Sequence, residues 1–336
     1  MIRELPSRAG LFVGSLLIGL LAGEASLRLF GFRFDVAPES VEFGFPTKKE
    51  LRRSYLTDPD LFWVTKDYQE KLRGLARRRP HILFMGDSCT EFGTYHRLLL
   101  ERLQLDRPEE EIVGEALGVG AWSSYQGLQQ MRRDVVPSQP RVVTIYYGWN
   151  DHWIGFGVKD SEIHELIRST PARLSGLRLA QLAFKARVAY RSRMARLKKE
   201  WPVRVPPVAF RDNLREIARL AKRNGIVPLL LTAPTSHEAG REPDFLLGRW
   251  MKDLKLLVPL HQRYVSIVRE VAVEEGVPLC DLAARFAALP PVEVRETHFK
   301  LDGIHPTAQG DQKAAAFLHD CFIQDPRLSG LWSKPQ

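Results

Sequence analysis

Four short stretches of this sequence hold residue types that acyl-transfer chemistry needs. Gly86-Asp87-Ser88 closes the apolar run Ile82–Met85. Gly118 and Gly120 follow a second run, and Gly148-Trp149-Asn150-Asp151 follows a third. Near the C-terminus, Asp302 stands three residues before His305. A serine hydroxyl is a weak nucleophile at neutral pH until a neighbouring base takes its proton. Histidine is the side chain suited to that task, which makes His305 the candidate base for Ser88. One turn of chain is enough to bring the Asp302 carboxylate to the imidazole, where it fixes the tautomer and stabilises the imidazolium. Attack on an ester carbonyl creates an oxyanion, which needs donors already aimed at it. The Ser88 N–H, the Gly118 N–H and the Asn150 side-chain amide are the candidates.

Each fragment alone has a simpler reading. Ser88 suits a helix cap after a strand. Asp302 and His305 suit a surface turn, with Pro306 opening a helix. Asn150-Asp151 suits an ordinary turn. Asp87 and Asp151 read as loop-holding acids rather than catalytic ones. Cys89 reads as a small packed hydrophobe, with a reactive thiol the lesser alternative. Gly118-x-Gly120 lacks the third glycine of a dinucleotide loop. Trp122, Trp149 and Trp153 flank the expected site. They suit either core packing or an amphipathic wall binding a sugar ring or acyl chain.

Taken together and in this order, the four blocks resemble the SGNH (GDSL-type) hydrolase family over about residues 81–325. The sequence departs from the family pattern in two places. Cys89 follows the serine, and Ala116 stands where an asparagine is often found two residues before the second-block glycine. The resemblance implies Ser88 as nucleophile, His305 as base and Asp302 as its orienter. It also implies Ser88, Gly118 and Asn150 as the oxyanion hole, and chemistry with no metal and no organic cofactor.

The elements that must position these residues can also be read. Apolar runs recur at Ile82–Met85, Ile112–Leu117, Val142–Tyr147, Ile226–Leu231 and Val277–Leu282. Between them lie helical periods: Phe210, Leu214, Ile217, Leu220 and Ala221 before Gly225, and Leu260, Tyr264, Ile267, Val268 and Val271 before Gly276. Continuous apolar strands alternating with amphipathic helices predict a three-layer α/β/α fold around a parallel sheet of about five strands, flavodoxin-like in type. Ligands of such sheets bind beyond the carboxyl ends of the strands, where the first three blocks fall.

The chain has 336 residues, 44% of them hydrophobic, which excludes disordered and repetitive classes. Three cysteines, Cys89, Cys280 and Cys321, exclude a disulfide framework, permit at most one bridge and carry no zinc-ligand spacing. The net charge is +9, and residues 165–199 alone supply that excess, with ten Lys/Arg against Glu165. So local a charge does not describe a nucleic-acid cleft. It suits a solvated helical insertion at about 155–205, or a surface for anionic lipid or an acidic polymer.

Ala9–Gly23 is uncharged and follows Arg3 and Arg8. It reads as an uncleaved membrane anchor within 1–32, with a cleaved signal or a buried helix as alternatives. The flanking charge then keeps the N-terminus in the cytoplasm and the body outside it. Residues 33–80 read as a polar connector with turns at Ala37-Pro38 and Asp58-Pro59-Asp60, residues 81–325 as the catalytic domain and 326–336 as a tail. The expected function is a membrane-tethered extracytoplasmic ester hydrolase acting on an O-acylated glycan or lipid ester. The rivals are an O-acyltransferase using the same triad on a cell-surface polysaccharide, and a non-catalytic membrane-anchored binding protein. The expected partners are the ester substrate and the membrane, through the N-terminal segment and the basic insertion, with no nucleic acid. Oligomeric state is not legible.

Overall fold

The computed structural model describes residues 8–36, 47–77, 80–155, 158–168, 172–198 and 202–332. Arg3, the Ala37-Pro38 turn, Arg78, Arg79, Lys199 and the tail from 333 lie outside them. Five parallel strands form the central sheet: β3 (Ile82–Gly86), β4 (Gly114–Ala116), β5 (Val142–Tyr146), β6 (Val227–Leu231) and β7 (Leu279–Cys280). Their order is β4-β3-β5-β6-β7. Ile82 lies beside both Gly114 and Val142, and Leu230 beside Leu279. The runs expected at Ile112–Leu117 and Val277–Leu282 shorten to three and two residues because β4 and β7 are edge strands, paired on one side only.

Alternation along each strand splits the core in two. Leu83, Met85, Val143, Ile145 and Leu230 face one layer with α8 (Pro207–Arg223) and α9 (Leu257–Glu275). Ile82, Phe84, Val142, Tyr146 and Leu229 face the other, with α4 (Tyr95–Asp106) and α10 (Ala308–Gln324). Both faces are therefore covered, which is the three-layer α/β/α arrangement. Helix α9 ends at Gly276, whose φ of 63° caps it where the sequence predicts the stop. Cys280 of β7 and Cys321 of α10 form a disulfide, clipping one edge of the sheet to the outer layer. Cys89 is free and buried.

The stretch expected to be a polar connector carries structure in its described part. β1 (Tyr55–Asp58) and β2 (Phe62–Thr65) pair as an antiparallel hairpin, followed by α2 (Tyr68–Arg77). Leu61, Phe62 and Trp63 are fully buried, and the Tyr68 hydroxyl donates to Asp134 at 2.7 Å. At the N-terminus α1 (Arg8–Leu29) contains Gly10–Leu29, 20 residues of mean hydropathy 1.7, none of it buried in the protein. At 1.5 Å per residue that stretch is about 30 Å long, the thickness of a hydrocarbon core. The basic segment contains α6 (Asp160–Arg168) and α7 (Arg178–Lys198).

Candidate active site

Ser88 opens α3 (Ser88–Glu91) directly after β3. The turn is shaped by Asp87, whose carboxylate accepts the Cys89 N–H at 2.9 Å. On the far side of the sequence, Asp302 folds its own loop. Its Oδ1 accepts the backbone N–H groups of Ile304 and His305, each at 2.9 Å. That leaves Oδ2 for His305 Nδ1, at 2.7 Å. A carboxylate only accepts, so Nδ1 carries the proton and Nε2 presents its lone pair. Nε2 lies 2.8 Å from Ser88 Oγ, across 217 residues of sequence. Burial works against charge on Asp302, but the His305 ring and the two N–H groups outweigh it and hold the carboxyl down at about 2. Ser88, His305 and Asp302 thus form one hydrogen-bonded chain that is partly open to solvent.

The loop after β4 supplies a second group. The N–H groups of Leu117 and Val119 are taken by the carbonyls of Phe84 and Gly86, whereas that of Gly118, between them, has no such bond among the described residues. Gly118 must be glycine: a Cβ there would lie 2.4 Å from the side chain of Thr90, two residues after Ser88. Asn150 is buried, and its Nδ2 donates one hydrogen to Asp87 Oδ2 at 3.1 Å. An amide nitrogen has two hydrogens, so the second stays available. Burial pushes the Asp87 carboxyl up to about 6, against the pull of the Cys89 N–H. Asp151 instead holds Ser124, accepting from its N–H at 2.9 Å and its hydroxyl at 2.6 Å. Burial pushes this carboxyl up to about 7. The Cys89 thiol is likewise raised by burial, the opposite of a reactive thiolate.

The three tryptophans do not form a wall facing solvent. Trp122, Trp149 and Trp153 are 0%, 2% and 4% exposed. Trp122 Nε1 donates to the Trp63 carbonyl at 2.9 Å, and Trp149 stacks on His261 with centroids 3.8 Å apart and on Trp153 at 5.9 Å. Their rings pack between the strand ends and the loops, as the core-packing alternative expects.

Several positioning residues gave no signal in the sequence. Trp63 Nε1 donates to the Gly120 carbonyl at 2.9 Å, while the Glu91 carboxylate accepts from the Gly120 N–H and from the Tyr55 hydroxyl. Arg204 donates to the Ala121 carbonyl at 2.7 Å and forms a buried pair with Asp160, which also accepts from Ser123. His237 Nε2 lies 2.7 Å from the Asp302 carbonyl oxygen, and the Thr235 hydroxyl donates to that of Gly303 at 2.9 Å. Gly303 has φ 71°, and a Cβ there would come within 2.4 Å of His237. A cavity of about 520 Å³ is lined by His237, His261, Phe286 and Leu289 among others. Ser88, Gly118 and Asn150 do not line it. No group of three or more His, Cys, Asp or Glu among the described residues is placed to hold a metal ion.

A serine hydroxyl and amide donors beyond the carboxyl ends of parallel strands, met by an imidazole and a carboxylate from the loop before α10, are the kinds of group acyl transfer needs. The model of the GDSL-like lipase/acylhydrolase family matches residues 84–313, about two thirds of the chain. The chain belongs to this family. It is therefore an ester-hydrolysing enzyme on a three-layer α/β/α fold. Among solved structures, this GDSL-like enzyme is similar to a lipase/acylhydrolase from Enterococcus faecalis, at 16% identity over 76% of this chain and 99% of that one, with a TM-score of 0.47. A GDSL-like lipase from Bacteroides thetaiotaomicron is 19% identical over 75% and 95%, with a TM-score of 0.45. An acetylxylan esterase from Geobacillus stearothermophilus is 16% identical over 76% and 96%, with a TM-score of 0.44. None of the curated proteins compared with the chain matches it.

Proposed function

We propose that the chain is a membrane-tethered serine esterase that works outside the cytoplasmic membrane on an O-acylated glycan or lipid ester. The single observation carrying the mechanism is the unbroken Ser88–His305–Asp302 relay, with links of 2.8 and 2.7 Å. In this reading Ser88 Oγ attacks the ester carbonyl as His305 Nε2 takes its proton. Asp302 stabilises the imidazolium. The Ser88 and Gly118 N–H groups and the free Asn150 hydrogen receive the oxyanion. The C–O bond then breaks, the alcohol leaves with the proton from His305, and the acyl group stays on Ser88. Water attacks the acyl-serine as His305 takes one of its protons, and the acid departs with Ser88 reprotonated.

Two features support the location. Helix α1 is long and apolar enough to span, and Arg3 and Arg8 precede its apolar stretch Gly10–Leu29. The Cys280–Cys321 bridge is a kind of bond that persists in oxidising compartments, which supports a body outside the cytoplasm.

The test is covalent labelling with a fluorophosphonate, the modified residue being mapped by mass spectrometry. Label is expected on Ser88, absent in Ser88→Ala and His305→Ala and retained in Cys89→Ala. Both catalytic variants should keep the fold while losing turnover by orders of magnitude. Well-folded, fully active Ser88→Ala protein would overturn the mechanism. Release of free acid in water, unchanged by added sugar acceptors, is expected of a hydrolase; acyl-sugar as the main product would make it a transferase.

A further inference from the structure

The exit of α1 is not a loose tether. Glu24, inside the last turns of the helix, accepts the backbone N–H groups of Arg178 and Leu179 at 3.0 and 2.9 Å, so it caps the start of α7. Arg28 pairs with Glu24 at 2.7 Å and donates to the Gly176 carbonyl at 3.1 Å. Leu179 packs on Gly23. Beyond the helix, the Phe34 N–H donates to Gln181 at 3.1 Å, Phe34 packs on Phe184, and the Lys185 ammonium lies 5.6 Å from the ring centroids of Phe32 and Phe34. The basic helix therefore starts beside Gly23 and Glu24, about 8 Å before the apolar stretch Gly10–Leu29 ends, and runs out past Phe32 and Phe34, across the boundary between hydrocarbon and headgroups.

The composition of α7 suits that depth. Residues 177–193 contain Arg178, Lys185, Arg187, Arg191 and Arg193 and no acid. Gln181 and Phe184 are buried, which turns the opposite face outward. That face carries Leu182, 40% exposed, and Tyr190, 63% exposed, together with Arg193. Cations interleaved with apolar and aromatic side chains are what an interfacial helix presents to anionic lipid. From this we infer that α7 is a second membrane contact, a cationic collar seated in the anionic phospholipid headgroups around the anchor. The inference rests on the reading of α1 as a bilayer anchor. Its occupant is fixed by charge and by chain continuity: the helix is held against the one element that enters the bilayer.

The consequence is orientation. With α1 and α7 both engaged, the catalytic body has a set tilt over the membrane rather than free rotation about a linker.

The test uses the full chain in vesicles. Cys89 is buried and the other two cysteines are bonded, so an introduced surface cysteine can be labelled selectively. A polarity-sensitive fluorophore is placed at Leu182→Cys and, in a separate protein, at Leu17→Cys. Vesicles are phosphatidylcholine alone or with phosphatidylglycerol. The Leu17 label is expected in hydrocarbon in both. The Leu182 label should shift to the blue and be quenched by headgroup-bound quencher only with phosphatidylglycerol. High salt should abolish that shift, and so should Arg187→Gln/Arg193→Gln, which leaves the Glu24 junction intact. If the Leu17 label is buried while the Leu182 label stays aqueous in both vesicles, the collar is overturned and the anchor stands. A Leu17 label that stays aqueous overturns both. A Leu182 shift that is equal in the two lipids and indifferent to salt overturns the electrostatic basis.

Discussion

Asp302 does two jobs with two oxygens: Oδ1 builds the loop through Ile304 and His305, and Oδ2 holds the imidazole. Its carboxyl is depressed to about 2 in the fold, whereas an unfolded aspartate titrates near 3.9. A depressed acid contributes stability that is fully present above the unfolded value and is lost as pH falls through the folded one. Discounted for the partial exposure of the carboxylate, the contribution is about 1–2 kcal/mol. Asp302→Asn should therefore be less stable than the parent at neutral pH, with the difference shrinking between about pH 4 and pH 2. Thermal melts across that range check it, and parallel curves would remove Asp302 from the acid limb. In the proposed mechanism the second amide hydrogen of Asn150 engages only when charge develops on the substrate. Asn150→Ala should lower kcat by roughly 10²–10³ with a much smaller change in KM, as loss of one oxyanion donor does. A loss confined to KM would make Asn150 a substrate-binding group instead.

At the scale of elements, the β1–β2 hairpin proves to be part of the active-site support. Trp63 donates its indole N–H to the Gly120 carbonyl and Trp122 donates its own to the Trp63 carbonyl, which ties the hairpin to the loop carrying Gly118, and Tyr55 reaches the same loop through Glu91. Trp63→Phe keeps most of the packing but leaves the buried Gly120 carbonyl without its donor, a cost of roughly 1–3 kcal/mol. Urea unfolding should show that loss, and kcat should fall with little change in KM; unchanged values of both would make the hairpin a passive cover. The hairpin was not legible in the sequence because Leu61–Val64 is a four-residue apolar run among charged neighbours, and its partners lie more than fifty residues away. The central strands were legible because a sheet buried on both faces demands unbroken apolar runs. Asp302 and His305 were legible as a pair because one turn of chain sets their distance. The tryptophans stayed ambiguous for the converse reason. A large ring beside a motif is needed equally by a core and by a binding wall, and residue type does not distinguish them.

At the scale of the whole molecule, compartment and covalent structure bear on each other. The disulfide joins residues separated by 41 positions, a loop whose closure in the unfolded chain is worth about 4 kcal/mol on the chain-entropy account. A body exported across the membrane would fold with that bond in place, whereas a cytoplasmic body would keep its thiols reduced. The two cases differ in a count. Protein taken from its own membrane, alkylated at once and then denatured, should expose the single free thiol of Cys89, and all three cysteines after reduction. Without denaturant Cys89 should stay unreactive, because it is buried against the loop of Ile304. Reduction should also lower the unfolding midpoint while leaving the Ser88–His305–Asp302 relay intact, since neither Cys280 nor Cys321 touches it. Three thiols reacting in denatured, unreduced protein would place the body in a reducing compartment and reverse the orientation of α1.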